Sequence, residues 1–538
     1  MGQSRGGYEP GGDMSETITE RRQLASAGMG LAWFARTIPD RVAILSPHGN
    51  RTYAELNAAA NQLARAMRRR GAEAKDGLAL ACSNRAEFSE TLNAASRTGL
   101  RSTLLNWHLT GEEMAYILND CEATVFVADA RFGEAAAEAA KSAPHLVAKF
   151  AIGGDIEGFE RYEAVLAEES PEDIDDPVPG TSMLYTSGTT GRPKGVKRPP
   201  AAAASQTTIE TARDPKRAYR EGDVHLLTGP AYHAAPYAQS VIAPIAAGVT
   251  IVMMDGWDPE ETLRLIDEHK VTHTHMVATM FHRLLGLPEE VRNTYDTSSL
   301  RQVMHGAAPC PVEVKQAMMD WWGPVIYEYY AATEGGGTTV GPEEWLQKPG
   351  TVGRAGVGQT VEVWDEQGTK CPVGVVGTVY MKKPDAGGFE YHNDPAKTAG
   401  AYKGDFFTLG DMGYFDEDDY LFLTGRSADL IISGGVNIYP VEVDGVLLQH
   451  PAVADVATVG VPNTDWGEEV RAVVQVKPGI DPSPELAAEL VAFVRDRLAH
   501  YKCPRSVDFS EVLPRHDSGK IYRRLVRDPY WAGRDKQI

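Results

Sequence analysis

The sequence predicts an α/β protein whose parallel sheets are covered by helices on both faces. Short β-branched or apolar runs at residues 124–128, 183–185 and 248–254 indicate buried strands. They alternate with amphipathic patterns at residues 259–269 and 485–498, which predict helices. This alternation is typical of parallel sheets, whose ligands bind where loops leave the carboxyl ends of the strands.

The first well-marked helix is predicted to begin at residue 53. The segment Thr52-Tyr53-Ala54-Glu55 is a capping box, in which two side chains satisfy free backbone amides at a helix start. Leu56, Leu63 and Met67 then recur at helical spacing, and Gly71 supplies a stop. We therefore predict an amphipathic helix between Thr52 and Gly71.

Length and charge limit the function classes. A chain of 538 residues predicts several domains, and its 43% hydrophobic and 24% charged residues are close to globular averages. With 53 Lys and Arg against 74 Asp and Glu, the net charge is −21, which disfavours a nucleic-acid partner. The five cysteines are an odd number without a close pair, so we expect neither a disulfide framework nor a zinc site, and a cytoplasmic location fits best.

Two stretches raise the question of targeting. Residues 1–20 lack the apolar centre of a secretory signal, and we interpret them as a disordered leader. Residues 225–254 carry no charged side chain, but their prolines and glycines favour a loop plus a buried element over a membrane span.

The remaining texture is less informative. The alanine runs 135–140 and 201–204 are interpreted as helix surface or loop. Beyond about residue 338 the pattern changes to short strands and turns, as at 353–363 and 373–381, which predicts a smaller barrel or mixed sheet.

A turn after the strand 183–185 has the chemistry of a polyphosphate site. Residues 185–195 contain four Ser or Thr hydroxyls, three glycines and Lys194. Glycines let backbone amides approach phosphate oxygens, hydroxyls donate hydrogen bonds, and the lysine supplies a cation. Arg192-Pro193 precedes the lysine, so the turn is not a Walker A loop. The residues predicted to hold phosphate are Thr186, Ser187, Gly188, Thr189, Thr190, Gly191 and Lys194.

This loop resembles that of the adenylate-forming superfamily of acyl-CoA synthetases, aryl-CoA ligases, peptide-synthetase adenylation domains and luciferases, and the resemblance covers nearly the whole chain. It implies a large N-terminal domain of two layered α/β subdomains plus a small β-barrel, and a small mobile α+β C-terminal domain. The implied limits are a leader at 1–20, the AMP-binding domain at 21–426, a hinge at 427–429 and the C-terminal domain at 430–538.

The resemblance also implies a reaction. Such enzymes join a carboxylate to the α-phosphate of ATP, release pyrophosphate, and pass the acyl group to a thiol. It therefore implies ATP and Mg²⁺ as cofactors, CoA as a substrate and a small carboxylic acid as the molecule activated.

A second motif, Glu328-Tyr329-Tyr330-Ala331-Ala332-Thr333-Glu334-Gly335, combines aromatic rings, a hydroxyl and a carboxylate. The resemblance assigns Tyr330 to the adenine face, Thr333 to the α-phosphate and Glu334 to Mg²⁺, which prefers carboxylate and phosphate oxygens. The family usually has glycine where Ala331 stands. The same motif supplies three further residues predicted for the nucleotide site, Glu328, Tyr329 and Ala331.

Two more segments complete the predicted nucleotide site. Gly306-Ala307-Ala308-Pro309 resembles the segment whose small residues let the backbone lie against the adenine. Asp411 resembles the carboxylate that accepts from both ribose hydroxyls, and Arg426 resembles a second ribose contact.

Lys520, near the end of the chain, is the catalytic cation that the resemblance implies. One ammonium between the attacking carboxylate and the polyphosphate offsets their repulsion. Lys520 is also counted in the nucleotide site. The predicted catalytic residues are Lys520, Glu334 and Thr186, and the last two are also the predicted Mg²⁺ ligands.

The two half-reactions imply a domain swing. In the family the C-terminal domain rotates, withdraws the lysine and presents a glycine face, here Gly434 and Gly435, to the pantetheine arm of CoA. The pivot is Ala428, where the family usually has Asp or Lys. We expect the rotation to persist and its balance to shift.

The acid is predicted only as a class. The family's acyl-pocket segment aligns with residues 230–237, and small side chains around it suggest a roomy pocket. No acidic residue is present there to bind a substrate ammonium, which argues against an amino acid. Residues 194–199 are similar to those of bile-acid and other bulky-acid CoA ligases, and fatty, aryl and steroid acids all stay open. The residues predicted for this pocket are Tyr232, His233, Ala234, Tyr237, Gly335 and Gly336.

The sequence therefore predicts an AMP-forming acyl-CoA synthetase for a medium-to-long-chain or bulky apolar acid. One alternative is a ligase that loads a carrier protein, and another is an inactive nucleotide-binding regulator, motivated by Ala331 and Ala428. A luciferase-like oxygenase shares the framework. Peripheral membrane contact stays open for a lipid-like acid, and no oligomeric state is predicted.

Overall fold

Strands and helices alternate along the chain, which confirms the α/β prediction. The computed structural model describes residues 14–186, 193–199, 218–356, 358–385, 387–433, 436–463, 466–515 and 520–532. The chain divides into two compact units. Described residues up to 199, with 219–227 and 231–256, form the first unit, and residues 218, 228–230 and 257 onward form the second.

The first unit contains a largely parallel sheet covered by helices. Every neighbouring pair is parallel except the last two strands in sheet order, which pair antiparallel. The strands that this unit contributes are, in sheet order, Glu160–Arg161, Ala148–Ile152, Ala123–Asp129, Gly77–Ala81, Arg101–Leu104, Thr181–Thr186 and Lys194–Lys197. A second group of strands comprises Val224–Leu227, Thr250–Met253, Val42–Leu45 and Arg51–Thr52.

The helices of this unit begin where the sequence signals them. Thr52 caps the helix Tyr53–Arg69 with a complete capping box, as predicted, and Thr110 does the same for Gly111–Asp120. The sheet and the helices enclose an apolar core. The other helices are Met14–Ser26, Gly30–Thr37, Ala86–Thr98, Gly133–Lys141, Tyr162–Ala167, Ala234–Pro236, the π-helix Tyr237–Ile242, Ala243–Ala247 and the 3₁₀ turn Ala130–Phe132.

Two sequence interpretations are corrected here. The described part of the predicted leader, residues 14–20, is helical, since it belongs to the helix Met14–Ser26. Arg21 of that helix donates to the Ala246 carbonyl at 2.7 Å, and Leu24 packs against the core, so tertiary contacts hold the segment. The alanine run 135–140 is not only surface, because Ala136 and Ala139 are buried. Residues 201–204 lie outside the described residues.

Residues 225–254 form short elements, as the prolines and glycines predict. Two strands lie at the ends of this segment, and the three short helices 234–247 lie between them. None of the helices in the described ranges is both long enough and apolar enough to cross a bilayer.

The second unit contains a group of strands that positions the candidate site. Three of them, His273–Met276, Gln302–His305 and Ile326–Ala331, pair parallel in that order. Gly336–Val340 and Arg354–Ala355 follow with antiparallel pairing. The helices of this part are Pro259–His269, Ala278–Leu285, Glu289–Arg292, Val312–Trp322, Pro342–Gln347 and Pro395–Ala401.

Between residues 361 and 426 the strands are short, as the change of pattern in the sequence predicts. They form a six-stranded antiparallel sheet of Val361–Trp364, Gly377–Lys382, Tyr402–Lys403, Phe406–Phe407, Asp411–Phe415 and Leu421–Arg426. The two-residue strand Glu390–Tyr391 lies between the second and third of these in the sequence.

The C-terminal residues build a small α+β structure. Its strands are Ile431–Ser433, Val436–Ile438, Val453–Asn463, Gly467–Val476 and Ser506–Phe509, and its helices are Pro440–Leu447, Pro484–Arg495 and Arg523–Trp531, with a 3₁₀ turn at His500–Lys502. Separate apolar clusters form its core. All five cysteines of the chain are free thiols.

The predicted hinge, residues 427–429, coincides with a single 3₁₀ turn, Ser427–Asp429. The Ala428 carbonyl accepts a hydrogen bond from Arg527 Nη1 at 3.3 Å. The division of the chain at this point stays a prediction.

Candidate active site

The site is built at the carboxyl ends of two parallel strands of the second unit. Gln302–His305 leads into the predicted adenine segment, and Ile326–Ala331 carries the aromatic motif, with His305 opposite Glu328. A Cβ atom at Gly306 would lie 2.6 Å from both the Tyr329 ring and its carbonyl oxygen. Glycine is therefore required there for the two segments to touch. The next residue, Ala307, has a left-handed backbone with φ of 67°.

The two neighbouring tyrosines point to different partners. The Tyr329 hydroxyl lies 3.0 Å from His275 Nε2. Burial, followed by the nearby His305, lowers the pKa of His275 to about 3, and burial raises the pKa of Tyr329. Both groups are therefore neutral near pH 7. Tyr330, predicted to face the adenine, donates its hydroxyl to Asp411 Oδ2 at 2.7 Å.

Asp411 is held on both oxygens. Arg426 Nε donates to Oδ1 at 3.0 Å, opposite Tyr330 on Oδ2, because Asp411 and Arg426 are partners in the same antiparallel ladder. Displacement of water opposes the charge on Arg426, but Asp411 raises the pKa of this guanidinium. The structure thus brings the two predicted ribose residues together, with the predicted adenine residue as a third member.

Glu334 lies in a tight turn beyond the same strand. Backbone hydrogen bonds between Ala332 and Gly335 run in both directions, at 2.8 and 3.2 Å. The Glu334 Oε1 atom accepts from the Tyr391 hydroxyl at 2.9 Å. Among the described residues, no three His, Cys, Asp or Glu side chains are placed to hold a metal ion by themselves. A single half-buried carboxylate fits Mg²⁺ that is held mainly by nucleotide phosphates.

Lys520 lies within electrostatic reach of these groups. The pKa of Lys520 is lowered first by the surrounding protein, which displaces water, and then by the Arg426 charge, while Asp411 and Glu334 act in the opposite direction. The preceding Arg515 donates to both Asp455 oxygens, at 2.6 and 2.5 Å, and its backbone pairs with Ile521. Lys520 is therefore close enough to two carboxylates predicted to act on ATP for their charges to raise its pKa.

Glu328 has a buried partner, Lys315, that the sequence analysis missed. Its Oε2 atom accepts from Lys315 Nζ at 2.7 Å and lies 3.4 Å from His305, and all three side chains are buried. Burial opposes the carboxylate charge, but His305 and Lys315 lower the pKa of Glu328 to about 2. The ammonium also lies 4.6 Å from the Trp345 ring centroid. The carboxylate is therefore paired within the protein, and the role of Glu328 in holding the nucleotide stays a prediction.

A sequence signal for this pair exists. Lys315 shares a helix face with Met318, Met319 and Trp322, at spacings of three, four and seven residues. A lysine on an apolar face needs a buried counter-ion, and an acidic residue in a nearby buried strand is the natural candidate.

In the first unit, the predicted phosphate loop is described only at its ends. Thr186 pairs with Lys194, and Tyr185 with Gly195, so the flanking strands form an antiparallel hairpin. Tyr185 donates to Asp120 Oδ2 at 2.5 Å, which anchors the first strand. Ser187, Gly188, Thr189, Thr190 and Gly191 lie outside the described residues.

The first unit also holds most of the predicted acyl-pocket residues. The Tyr232 and His233 rings lie 4.4 Å apart, and Trp107 meets Tyr232 edge-on at 6.2 Å. Trp107 also stacks on Phe132 at 4.7 Å. The sequence analysis missed Trp107 and Phe132, because their contacts join distant segments of the chain.

The other predicted pocket residues are less closely associated. Ala234 begins a short helix, and Tyr237 begins the π-helix. Burial raises the pKa of Tyr237, whose side chain also forms a hydrogen bond with Ser182. Gly335 and Gly336 belong to the second unit. Gly434 and Gly435 lie outside the described residues.

This fold, with its charged cluster at the strand ends, defines an adenylate-forming enzyme. Residues 31–388 match the family described as AMP-binding enzyme, and residues 442–520 match the AMP-binding enzyme C-terminal domain. The chain belongs to this family.

The relatives are ligases of several acids. The chain is 32% identical to long-chain-fatty-acid–CoA ligase FadD13 of Mycobacterium tuberculosis, covering 89% of this chain and 93% of that one. It is 30% identical to 2-succinylbenzoate–CoA ligase of Bacillus licheniformis, covering 91% and 98%. It is 29% identical to fatty acid–[acyl-carrier-protein] ligase ScoC of Streptomyces coeruleorubidus, covering 96% and 98%.

Solved structures of other proteins share this fold. ATP-bound MatB from Rhodopseudomonas palustris superposes with a TM-score of 0.80 at 29% identity, covering 93% of this chain and 98% of that one. Anthranilate CoA ligase AuaEII, in complex with anthranoyl-AMP, has the same fold, with a TM-score of 0.86 at 24% identity, covering 94% and 97%. The chain is an acid–thiol ligase of the adenylate-forming superfamily, and it binds ATP.

Proposed function

We propose that the chain is an AMP-forming acyl-CoA synthetase for a medium-to-long-chain or bulky apolar carboxylic acid. It activates the acid with ATP to an acyl-adenylate, releases pyrophosphate, and transfers the acyl group to the thiol of CoA. The observation that carries this proposal is the clustering of Asp411, Glu334 and Lys520, which matches the charges needed around a nucleotide and an attacking carboxylate.

Each residue of the cluster has a separate task in this proposal. Asp411 accepts hydrogen bonds from the ribose hydroxyls, which fixes the nucleotide. Lys520 lies between the substrate carboxylate and the α-phosphate, where its ammonium offsets the repulsion of two anions. No general base is needed, because a carboxylic acid is already ionised near pH 7. Arg426 keeps the Asp411 carboxylate oriented.

The metal and the phosphates are assigned to two segments. Glu334 and Thr186 would hold Mg²⁺, which when bound neutralises phosphate charge and polarises the phosphoryl oxygens. Thr186 and Lys194, at the ends of the hairpin, would bracket the phosphate loop. Lys194 supplies a second cation for the leaving pyrophosphate.

The apolar character of the acid is supported by side chains of the first unit. Trp107, Phe132 and Tyr232 form an aromatic group beside His233, and Ala234 is small. These side chains suit an extended apolar or aryl body. We also propose a cytoplasmic location, because all five cysteines are free thiols.

A second candidate keeps the adenylation step and changes the acceptor to the pantetheine arm of a carrier protein. The observation that favours it is the match to ScoC, a fatty acid–[acyl-carrier-protein] ligase, over 96% of the chain.

The test is to incubate the pure chain with ATP, Mg²⁺, CoA and a panel of short linear, long linear, aryl and steroid acids, and to measure AMP and acyl-CoA together. We expect both products to rise for one apolar acid class. AMP and acyl-adenylate without acyl-CoA would favour the carrier candidate. No AMP with any acid, in a chain that still binds ATP, would contradict the proposed function.

A further inference from the structure

Tyr391 makes a contact that no sequence motif indicated. Its hydroxyl donates to Glu334 Oε1 at 2.9 Å, across 57 positions of sequence. A tyrosine hydroxyl is protonated near pH 7, so it acts as the donor in this contact. Within the contacts described for this carboxylate, the other oxygen, Oε2, faces no hydrogen-bond donor.

Tyr391 is itself held in place. Its backbone amide donates to Thr398 Oγ1 at 2.9 Å, and its ring meets Phe389 edge-on at 5.1 Å. Lys397 Nζ lies 5.0 Å from the ring centroid. The hydroxyl is therefore presented from a fixed position.

The same aromatic block supports both partners. Phe389 stacks on Tyr402 and meets Phe407 edge-on, each at 5.2 Å. A Cβ atom at Gly335 would lie 2.5 Å from the Phe407 ring, so the residue after Glu334 rests directly on this block. The distance between the Tyr391 hydroxyl and the Glu334 carboxylate is thus set by packed rings on both sides.

We propose that Tyr391 is a positioning residue for Glu334: it binds one carboxylate oxygen and leaves the other directed toward the cation of Mg·ATP. This inference rests on the proposed function, in which Glu334 is a metal ligand. Groups that orient a metal ligand commonly change metal affinity by about 10- to 100-fold when removed.

The test compares Tyr391→Phe with Tyr402→Phe. Both changes delete one tyrosine hydroxyl from the same aromatic block, and the Tyr402 hydroxyl donates to the Phe389 carbonyl, at 2.9 Å, and not to a predicted metal ligand. Calorimetry measures binding of Mg·ATP and, separately, of AMP without metal. Thermal unfolding without ligand, and the Mg²⁺ concentration for half-maximal ATP–pyrophosphate exchange, complete the set.

We expect Tyr391→Phe to weaken Mg·ATP binding and raise the half-maximal Mg²⁺ concentration by roughly 10-fold or more. AMP binding and melting temperature should match those of Tyr402→Phe. Equal behaviour of the two variants toward Mg·ATP would overturn the inference and leave the proposed function standing. An equal loss of AMP binding, or a selective drop in melting temperature, would also overturn it, since the hydroxyl would then be structural. Failure of the unaltered chain to bind Mg·ATP would instead remove the proposed function.

Discussion

Replacing Lys315 with methionine removes the cation of the buried pair with Glu328 and keeps a side chain of similar length. The lysine side chain is 1% exposed and the glutamate 9%, so water cannot take over the lost interaction. Removing one member of a buried pair leaves an uncompensated charge, which typically costs about 3–5 kcal/mol. The pKa of Glu328 shifts in the consistent direction: burial alone would raise it, but His305 and Lys315 favour the charged carboxylate and lower it.

The assay is urea denaturation at pH 7, which gives the free energy of unfolding of the unaltered chain and of Lys315→Met. Lys383→Met is the matched control. Lys383 pairs with Asp405 at 3.0 Å, but its side chain is 38% exposed, so this change should cost no more than about 1 kcal/mol. Adding Glu328→Gln to Lys315→Met should recover much of the loss, because no unpaired charge is then buried.

The pH dependence has a defined sign. A carboxyl whose pKa is lowered on folding stabilises the folded state above its unfolded pKa, and this contribution is lost as the pH falls toward the folded value. The gap between the unaltered chain and Lys315→Met should therefore be largest above about pH 5 and narrow as the pH falls below 4.5. A loss no greater than that of Lys383→Met, or a gap that is independent of pH, would refute the reasoning.

Four further outcomes test the site. Lys520→Ala should slow pyrophosphate release at least about 100-fold while a presynthesised acyl-adenylate still reacts with CoA, and normal release would contradict the assigned role. The pKa of Lys520 is lowered from 10.5, so the lysine loses its charge at a lower pH than a free lysine does. As the pH is raised, adenylation by the unaltered chain should therefore begin to fall before pH 10.5 is reached. Asp411→Asn should weaken ATP binding by roughly 1.5–3 kcal/mol, or about 10- to 150-fold by calorimetry, and unchanged affinity would remove the ribose assignment. Gly306→Ala should cost about 1–3 kcal/mol in stability and weaken AMP binding, whereas Gly445→Ala, with open space around it, should do neither; equal effects would show that the contact with Tyr329 is unimportant.

Local signals predicted the elements well. The helix Pro259–His269 has the predicted limits, because Asp258 caps it and proline occupies its first turn. The capping box at Thr52 likewise places a helix start within four residues of sequence. Residues 14–20 were misread as part of the leader, because the helix to which they belong is held by contacts of Arg21 and Leu24 with the rest of the first unit.

The residues of the candidate site likewise fall into those that a local motif predicted and those that depend on distant contacts. Asp411 and Glu334 lie in contiguous motifs and were predicted by resemblance. Trp107 and Tyr391 were not, because each acts through a partner from another segment, and one sequence does not record such pairings. Lys315 was missed, although its place on an apolar helix face indicates a buried counter-ion. Glu328 shows a limit of assigning roles from a motif. The residue belongs to the predicted motif, but its carboxylate accepts a hydrogen bond from the buried Lys315.

The doubly held Asp411 carboxylate bears on how a nucleotide enters and leaves. Immobilising a free side chain during association costs roughly 0.5–1.5 kcal/mol, and here Tyr330 and Arg426 have already imposed that order on folding. Each carboxylate oxygen has a second lone pair, so a sugar hydroxyl can bind without displacing either donor. The entropy lost on docking at this carboxylate is then the ligand's own, and the departure of AMP after each turnover needs no rearrangement of these three side chains.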